Sequence, residues 1–141
     1  MYLLEKEYER YVKDIGGAVV SSENPNLEIK NIRTSLSIRQ EDLSTLFGLR
    51  RETISRIENG SIYPTFAFVR KFSELMALAK VIRDLEALNE MKTLDGNIDL
   101  SNLRLLLFRL KVSPDDLILI SKLGERGYQK SRAKILKSSL I

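Results

Sequence analysis

The chain contains no cysteine and no histidine. Lacking cysteine, it can form no disulfide, no thiolate metal site and no cysteine nucleophile, which fits an intracellular, cytoplasmic protein. Lacking histidine as well, it can build neither the common zinc sites nor a histidine-based triad. Any catalysis is thereby restricted to carboxylate, lysine, serine or tyrosine chemistry. There is no glycine-rich phosphate loop, since Gly16-Gly17 is only a turn signal. No apolar run reaches the ~20 residues of a membrane span, and no signal peptide is visible, so neither a membrane partner nor export is expected. Carboxylates do not cluster at metal-ligand spacing, and Asp115-Asp116 is more simply explained as first-turn acids that favour a helix N-terminus. We therefore expect no catalytic residues, no metal, no cofactor and no enzyme activity.

What is present suits a soluble globular protein. At 141 residues, 43% of them hydrophobic and 30% charged, the chain can build one core plus an appendage. A net charge of +4 permits a polyanionic partner but is modest, so its distribution matters more than its total.

The most informative stretch is Gln40 to Gly60, QEDLSTLFGLRRETISRIENG, which has the pattern of two short helices joined by a tight turn at Gly48. Leu43 and Leu46 lie three apart in the first helix, Ile54 and Ile57 repeat that step in the second, and Leu49 is expected to plug the angle between them. Gly48 stands where the chain must turn sharply, and Asn59-Gly60 closes the second helix in the same way. Upstream, Asn24-Pro25 is a cap followed by proline at the first helical position, opening a helix through Leu27, Ile32 and Leu36. Downstream, Pro64 precedes a further helix through Phe68, Phe72 and Leu75. In a helix-turn-helix of this outline the first motif helix crosses the phosphate backbone and the second lies in the major groove.

Residues 27–78 resemble the lambda-repressor-like helix-turn-helix family, also called Cro-like or XRE. Arg33, Leu36, Gln40, Leu43, Leu46, Gly48, Ile54, Ser55, Ile57, Glu58, Asn59, Gly60 and Pro64 stand at that family's spacing. The resemblance implies that Gln40 binds a DNA phosphate, that Asn59 anchors the following loop to the DNA backbone, and that Arg33 and Glu58 form an internal salt bridge. It places Arg50, Arg51, Glu52 and Arg56 toward base edges. Thr53 and Ser55 border that face and, with Arg39, are further phosphate candidates. The expected partner is double-stranded DNA.

Two positions depart from the family pattern. Arg39 and Arg50 precede the two motif helices where a capping Ser, Thr or Asn is usual. A lost cap costs ~1 kcal/mol, and a cation near a helix N-terminus opposes the dipole by a further ~0.3–1 kcal/mol. A phosphate or guanine beside Arg50 would offset this, and a broken local rule at a contact site is where function is expected to show. Ser37-Ile38-Arg39-Gln40 is itself a capping-box pattern, so the first motif helix is alternatively expected to start earlier. For the bases, an arginine fork can donate to O6 and N7 of guanine together, worth ~1–3 kcal/mol of discrimination. Glu52 can accept from a cytosine amino group.

Outside the motif, Leu4, Tyr8, Tyr11, Val12 and Ile15 follow helical spacing, and Gly16-Gly17 is expected to stop that helix. The tyrosines are expected in a core or interface. The order of Tyr8-Glu9-Arg10-Tyr11, Ile15-Gly16 and Val20 to Pro25 is similar to the leader of a group of archaeal predicted regulators. From Thr65 a helical pattern runs on to about Met91, and its Leu78, Val81, Leu85 and Leu88 suit either a short coiled-coil seam or packing within the chain. Asp95-Gly96-Asn97 breaks the pattern. Leu100 to Val112 is leucine-rich, and Pro114 opens another helix through Leu117, Ile120 and Leu123. The last segment carries Arg126, Lys130, Arg132, Lys134 and Lys137, either beside phosphates or as a solvated helix.

The expected fold is all-α: a repressor-like helix-turn-helix bundle with an N-terminal helix, a long connector helix and a C-terminal helical region. The expected divisions are 1–23, 24–94 and 95–141. Residues 97–123 are expected to form a homodimer interface, with a small intrachain core as the alternative and a protein partner also possible there. The leading function is a sequence-specific, dimeric transcription regulator acting by operator occupancy. A protein-binding adaptor such as an antitoxin or coactivator is the alternative.

Overall fold

The computed structural model describes residues 4–91 and 113–139. Those residues form α1 (Leu4–Ser21), α2 (Pro25–Ser35), α3 (Gln40–Phe47), α4 (Arg51–Asn59), α5 (Phe66–Met91) and α6 (Pro114–Ser139), with no strand among them. The described protein is all-α, as the sequence pattern predicts.

Helix α1 presents one buried stripe, Tyr8, Tyr11, Ile15 and Val19, to α5. It does not stop at Gly16-Gly17 but continues to Ser21. Two interior glycines cost ~1 kcal/mol each relative to alanine. Four buried side chains at ~1.5–3 kcal/mol apiece outweigh that cost. Gly16 also lets α1 approach α5 closely: a Cβ there would lie 3.3 Å from Ser73 Oγ. The Tyr11 hydroxyl donates to the Asp84 carboxylate of α5. The Tyr8 hydroxyl is buried, and burial, with the nearby Glu74 carboxylate, pushes its phenol well above the usual range.

The chain turns through Ser22 to Asn24, whose Oδ1 accepts the Leu27 N–H at 3.1 Å and so caps α2 ahead of Pro25. The buried face of α2 is Asn26, Ile29 and Arg33, continued by Leu36. Leu27, expected on that face, is exposed instead, because the stripe begins one residue earlier with Asn26.

Helix α5 starts after Thr65, whose hydroxyl accepts the Phe68 N–H at 3.0 Å. Phe72, Met76, Leu78 and Val81 are fully buried, so α5 is apolar around much of its girth and needs cover on more than one side. Helix α1 supplies one side and α6 another. Of Leu78, Val81, Leu85 and Leu88, read from sequence as a coiled-coil seam or an intrachain surface, the first three are buried within the chain itself, and the Leu88 side chain lies outside what the structure describes.

Helix α6 begins with Ser113 Oγ accepting the Asp116 N–H at 3.1 Å, and it buries Ile120 and Leu123 in the same core cluster as α1 and α5. Two glycines bring it close to its neighbours. A Cβ on Gly124 would sit 2.5 Å from Ile82 Cγ2 and 3.2 Å from the Ala79 carbonyl, and one on Gly127 would sit 3.1 Å from the Leu36 carbonyl. Of the expected interface at 97–123, residues 97–112 lie outside the described residues, as do Asp95-Gly96-Asn97 and Leu100 to Val112. In the described remainder Ile120 and Leu123 pack inward, while Ile118 is exposed.

Candidate nucleic-acid interface

Helices α3 and α4 are short, and their termini determine how they present side chains. Gly48 ends α3 at φ +63°, with its N–H on the Thr45 carbonyl at 3.4 Å and the Leu49 N–H on the Ser44 carbonyl at 3.1 Å. This is a Schellman ending, which needs a residue free to adopt positive φ. The Ser44 hydroxyl also donates to the Leu49 carbonyl. Leu49 was expected to plug the interhelical angle, yet it is 36% exposed, and Leu43, Leu46, Ile54 and Ile57 fill the angle without it. What Leu49 contributes is backbone: its N–H and C=O both close the turn.

Gly60 ends α4 at φ +88°. Its surroundings are stitched by side-chain amides. Asn59 Oδ1 accepts the Ser61 N–H at 2.9 Å, and the Ile62 N–H returns to the Arg56 carbonyl at 3.1 Å. Asn26, buried in α2, donates from Nδ2 to the Ile57 carbonyl at 2.5 Å and the Ile62 carbonyl at 3.1 Å. Sequence reasoning passed over Asn26, although a polar residue in register with Ile29 and Arg33 was a signal for it.

Beneath α4 lies a buried polar network. Arg33 grips Glu58 with both arms, Nε to Oε2 at 2.6 Å and Nη2 to Oε1 at 2.9 Å, while Nη1 donates to the Ile38 carbonyl at 2.7 Å. Glu58 Oε1 also accepts Gln40 Nε2 at 2.9 Å. Gln40, a phosphate candidate, is therefore half-buried with its amide turned inward. Held in this way, Glu58 locks α4 against α2 and α3, and the opposite face of α4 stays rigid without contributing to the core.

The exposed part of α4 carries the candidates. At 100° per residue, Arg51, Ser55, Asn59, Glu52 and Arg56 fall within an arc of about 140°. Arg51, Glu52, Arg56 and Asn59 are exposed and Ser55 is half-buried; Arg50, also exposed, precedes the helix, and half-buried Thr53 lies off the arc. Arg51 Nη1 stands 4.0 Å from Glu41 Oε1 in an exposed pair, an interaction worth little in water and readily exchanged for another acceptor.

The two helix starts differ. Arg50 is the N-cap of α4 and gives no side-chain cap, as the sequence implies. Helix α3 starts at Gln40 and not at Ser37, contrary to the capping-box alternative. Ser37 is in the left-handed region at φ +60°, and Asp42 supplies the cap, its Oδ2 accepting the Arg39 N–H at 2.9 Å. Arg39 remains exposed, with its Nε 3.5 Å from the same carboxylate.

Helix α6 reaches this corner. Arg126 Nη2 donates to the Ser37 carbonyl and to Asp42 Oδ2, both at 2.7 Å. Burial raises the Asp42 carboxyl, but the hydrogen bonds from Arg126 and the Arg39 N–H, with the Arg126 charge, outweigh it and hold the group below its ordinary value. Arg126 is thus a structural clasp on α3, a role its place in a basic run did not announce.

Two short helices packed at a fixed angle, the second with an exposed cationic arc, form a helix-turn-helix. Residues 29–83 match the helix-turn-helix family model, and this part of the chain is a helix-turn-helix of the Cro/XRE type, a family of DNA-binding regulators. No curated protein and no solved structure matches the chain. Among the described residues, no helix is long and apolar enough to cross a membrane.

Proposed function

We propose that the protein is a sequence-specific regulator that binds double-stranded DNA, with α4 in the major groove and α3 across the backbone, and that acts by operator occupancy. The observation that carries this reading is the division of α4 into a buried and an exposed sector. Ile54, Ile57 and Glu58 are buried, Glu52 and Arg56 face solvent on the other side, and Arg51 is exposed at the N-terminal edge between the two. Arg51 or Arg56 reads a guanine by its fork, Glu52 accepts from a cytosine amino group, and Arg50 stands at the uncapped start of α4 where an acceptor offsets its charge. Arg39, Gln40, Thr53, Ser55 and Asn59 line the approach to phosphates, with Gln40 exchanging its bond to Glu58 for one to DNA.

A single module of this size reads a short half-site, so occupancy as a homodimer on two half-sites about one turn, ~34 Å, apart is part of the proposal. Selection of genomic fragments by the purified protein, followed by sequencing, tests both parts. A shared two-fold motif containing G·C pairs is the expected result, and Arg51→Ala or Arg56→Ala should relax preference at one base position. Fragments retained without any shared motif would overturn sequence-specific regulation and favour the adaptor role.

A further inference from the structure

Beyond Tyr128, α6 leaves the core. Residues 131–137 are all exposed. The segment 127–141 holds Lys130, Arg132, Lys134 and Lys137 and no acid, so these four cations equal the net charge of the whole chain, whose other acidic and basic residues balance. The charge is also ordered. Arg126, Lys130, Lys134 and Lys137 are spaced four, four and three apart, which at 100° per residue confines them to an arc of about 80°. Glu125, the nearest acid, lies on the far side of the helix.

The root of this stripe is fixed. Arg126 is held by Asp42 and the Ser37 carbonyl at the start of α3. Lys130, Lys134 and Lys137 continue the same azimuth for about 16 Å at 1.5 Å per residue. In the DNA-binding reading above, the start of α3 is the end that carries the phosphate candidates Arg39 and Gln40, and the stripe begins beside it.

We propose that the Lys130, Lys134 and Lys137 face of α6 is a second phosphate-contacting surface for duplex DNA, which lengthens the footprint of α3 outside the helix-turn-helix itself. This rests on the DNA-binding reading above. The contacts are to backbone phosphates, so they add affinity and salt sensitivity without sequence preference.

The triple variant Lys130→Gln, Lys134→Gln, Lys137→Gln tests it, with the full chain bound to duplex DNA over a salt series. Each phosphate contact contributes ~0.9 to the slope of log affinity against log salt, so the slope should fall by ~2–3. Affinity at low salt should drop by roughly tenfold or more, equally for all sequences. Because the three side chains are exposed, helicity and melting temperature should match wild type. An unchanged slope overturns the proposal while leaving the helix-turn-helix reading intact, provided that wild type still selects its motif. Failure of wild type to bind any duplex overturns both. Loss of binding to anionic phospholipid vesicles in the triple variant, with the DNA slope unchanged, would reassign the stripe to a lipid surface and likewise overturn it.

Discussion

Two arginines hold two regions of this molecule together by different means. Arg33 joins α2 to α4 through Glu58, with side chains 9% and 2% exposed and every contact made inside the helix-turn-helix. Arg126 joins α6 to the start of α3 through Asp42, with side chains 30% and 8% exposed, across 84 residues of sequence. The first pair belongs to the motif and positions α4. The second attaches an outside element to the motif. A buried ion pair broken on one side strands the other charge, whereas a partly exposed guanidinium can be replaced by water. The comparison therefore predicts a rigid reading unit with a separately attachable C-terminal helix.

The largest test of that contrast is Glu58→Ala, which leaves Arg33 buried without its partner and releases Gln40. A loss of ~3–5 kcal/mol is expected, enough to lower the melting temperature by roughly 10 °C. If calorimetry showed a loss below 1 kcal/mol, the claim that this pair anchors α4 would fail. Gly124→Ala probes the other region by driving a Cβ into Ile82 and toward the Ala79 carbonyl. Overpacking of this kind costs ~1–3 kcal/mol. It should loosen α6 first, so that hydrogen exchange quickens in 113–139 while α2–α4 keep their protection. Equal loosening of both regions would mean that α6 is integral to the reading unit.

The smallest effect is expected with pH. The Asp42 carboxyl is held below its unfolded value, so the stability it contributes is present above the ordinary carboxylate range, ~3.9, and is lost as pH falls through the depressed folded value. Urea midpoints measured as pH is lowered should show this acid-side loss in wild type and a shallower one in Asp42→Asn. Identical acid-side slopes would show that the clasp does not depend on the Asp42 charge. Because removing Arg126 breaks the clasp as well as the basic run, truncation after Leu123 would not isolate phosphate contact; the lysine stripe must be altered by itself.

Much of the reading unit was legible in the sequence because its determinants are local. Gly48 and Gly60 occupy positive φ where the turn spacing put them, Asn24 caps α2 ahead of Pro25, and the Ile54-Ile57 step marks the buried side of α4. Expectations failed where tertiary contact outranked local preference. Gly16-Gly17 looked like a stop, but packing of Ile15 and Val19 on α5 carries the helix through. Leu49 looked like a core plug, but its backbone does the work of the turn. Ser37 looked like a cap, yet the Arg126 contact and the burial of Leu36 and Ile38 on either side hold it at φ +60° instead.

The sequence by itself determined the all-α class and the helix-turn-helix, with its exposed arginines, because helical period, capping and turn chemistry act within a few residues of one another. The tertiary structure alone decided that Gly124 and Gly127 seat α6 against α5 and the α2–α3 turn, that Asp42 receives Arg126, and that Gln40 faces inward to Glu58. Those outcomes depend on backbones approaching one another from distant parts of the chain. No local pattern encodes such a distance, because it is fixed only when the whole core closes.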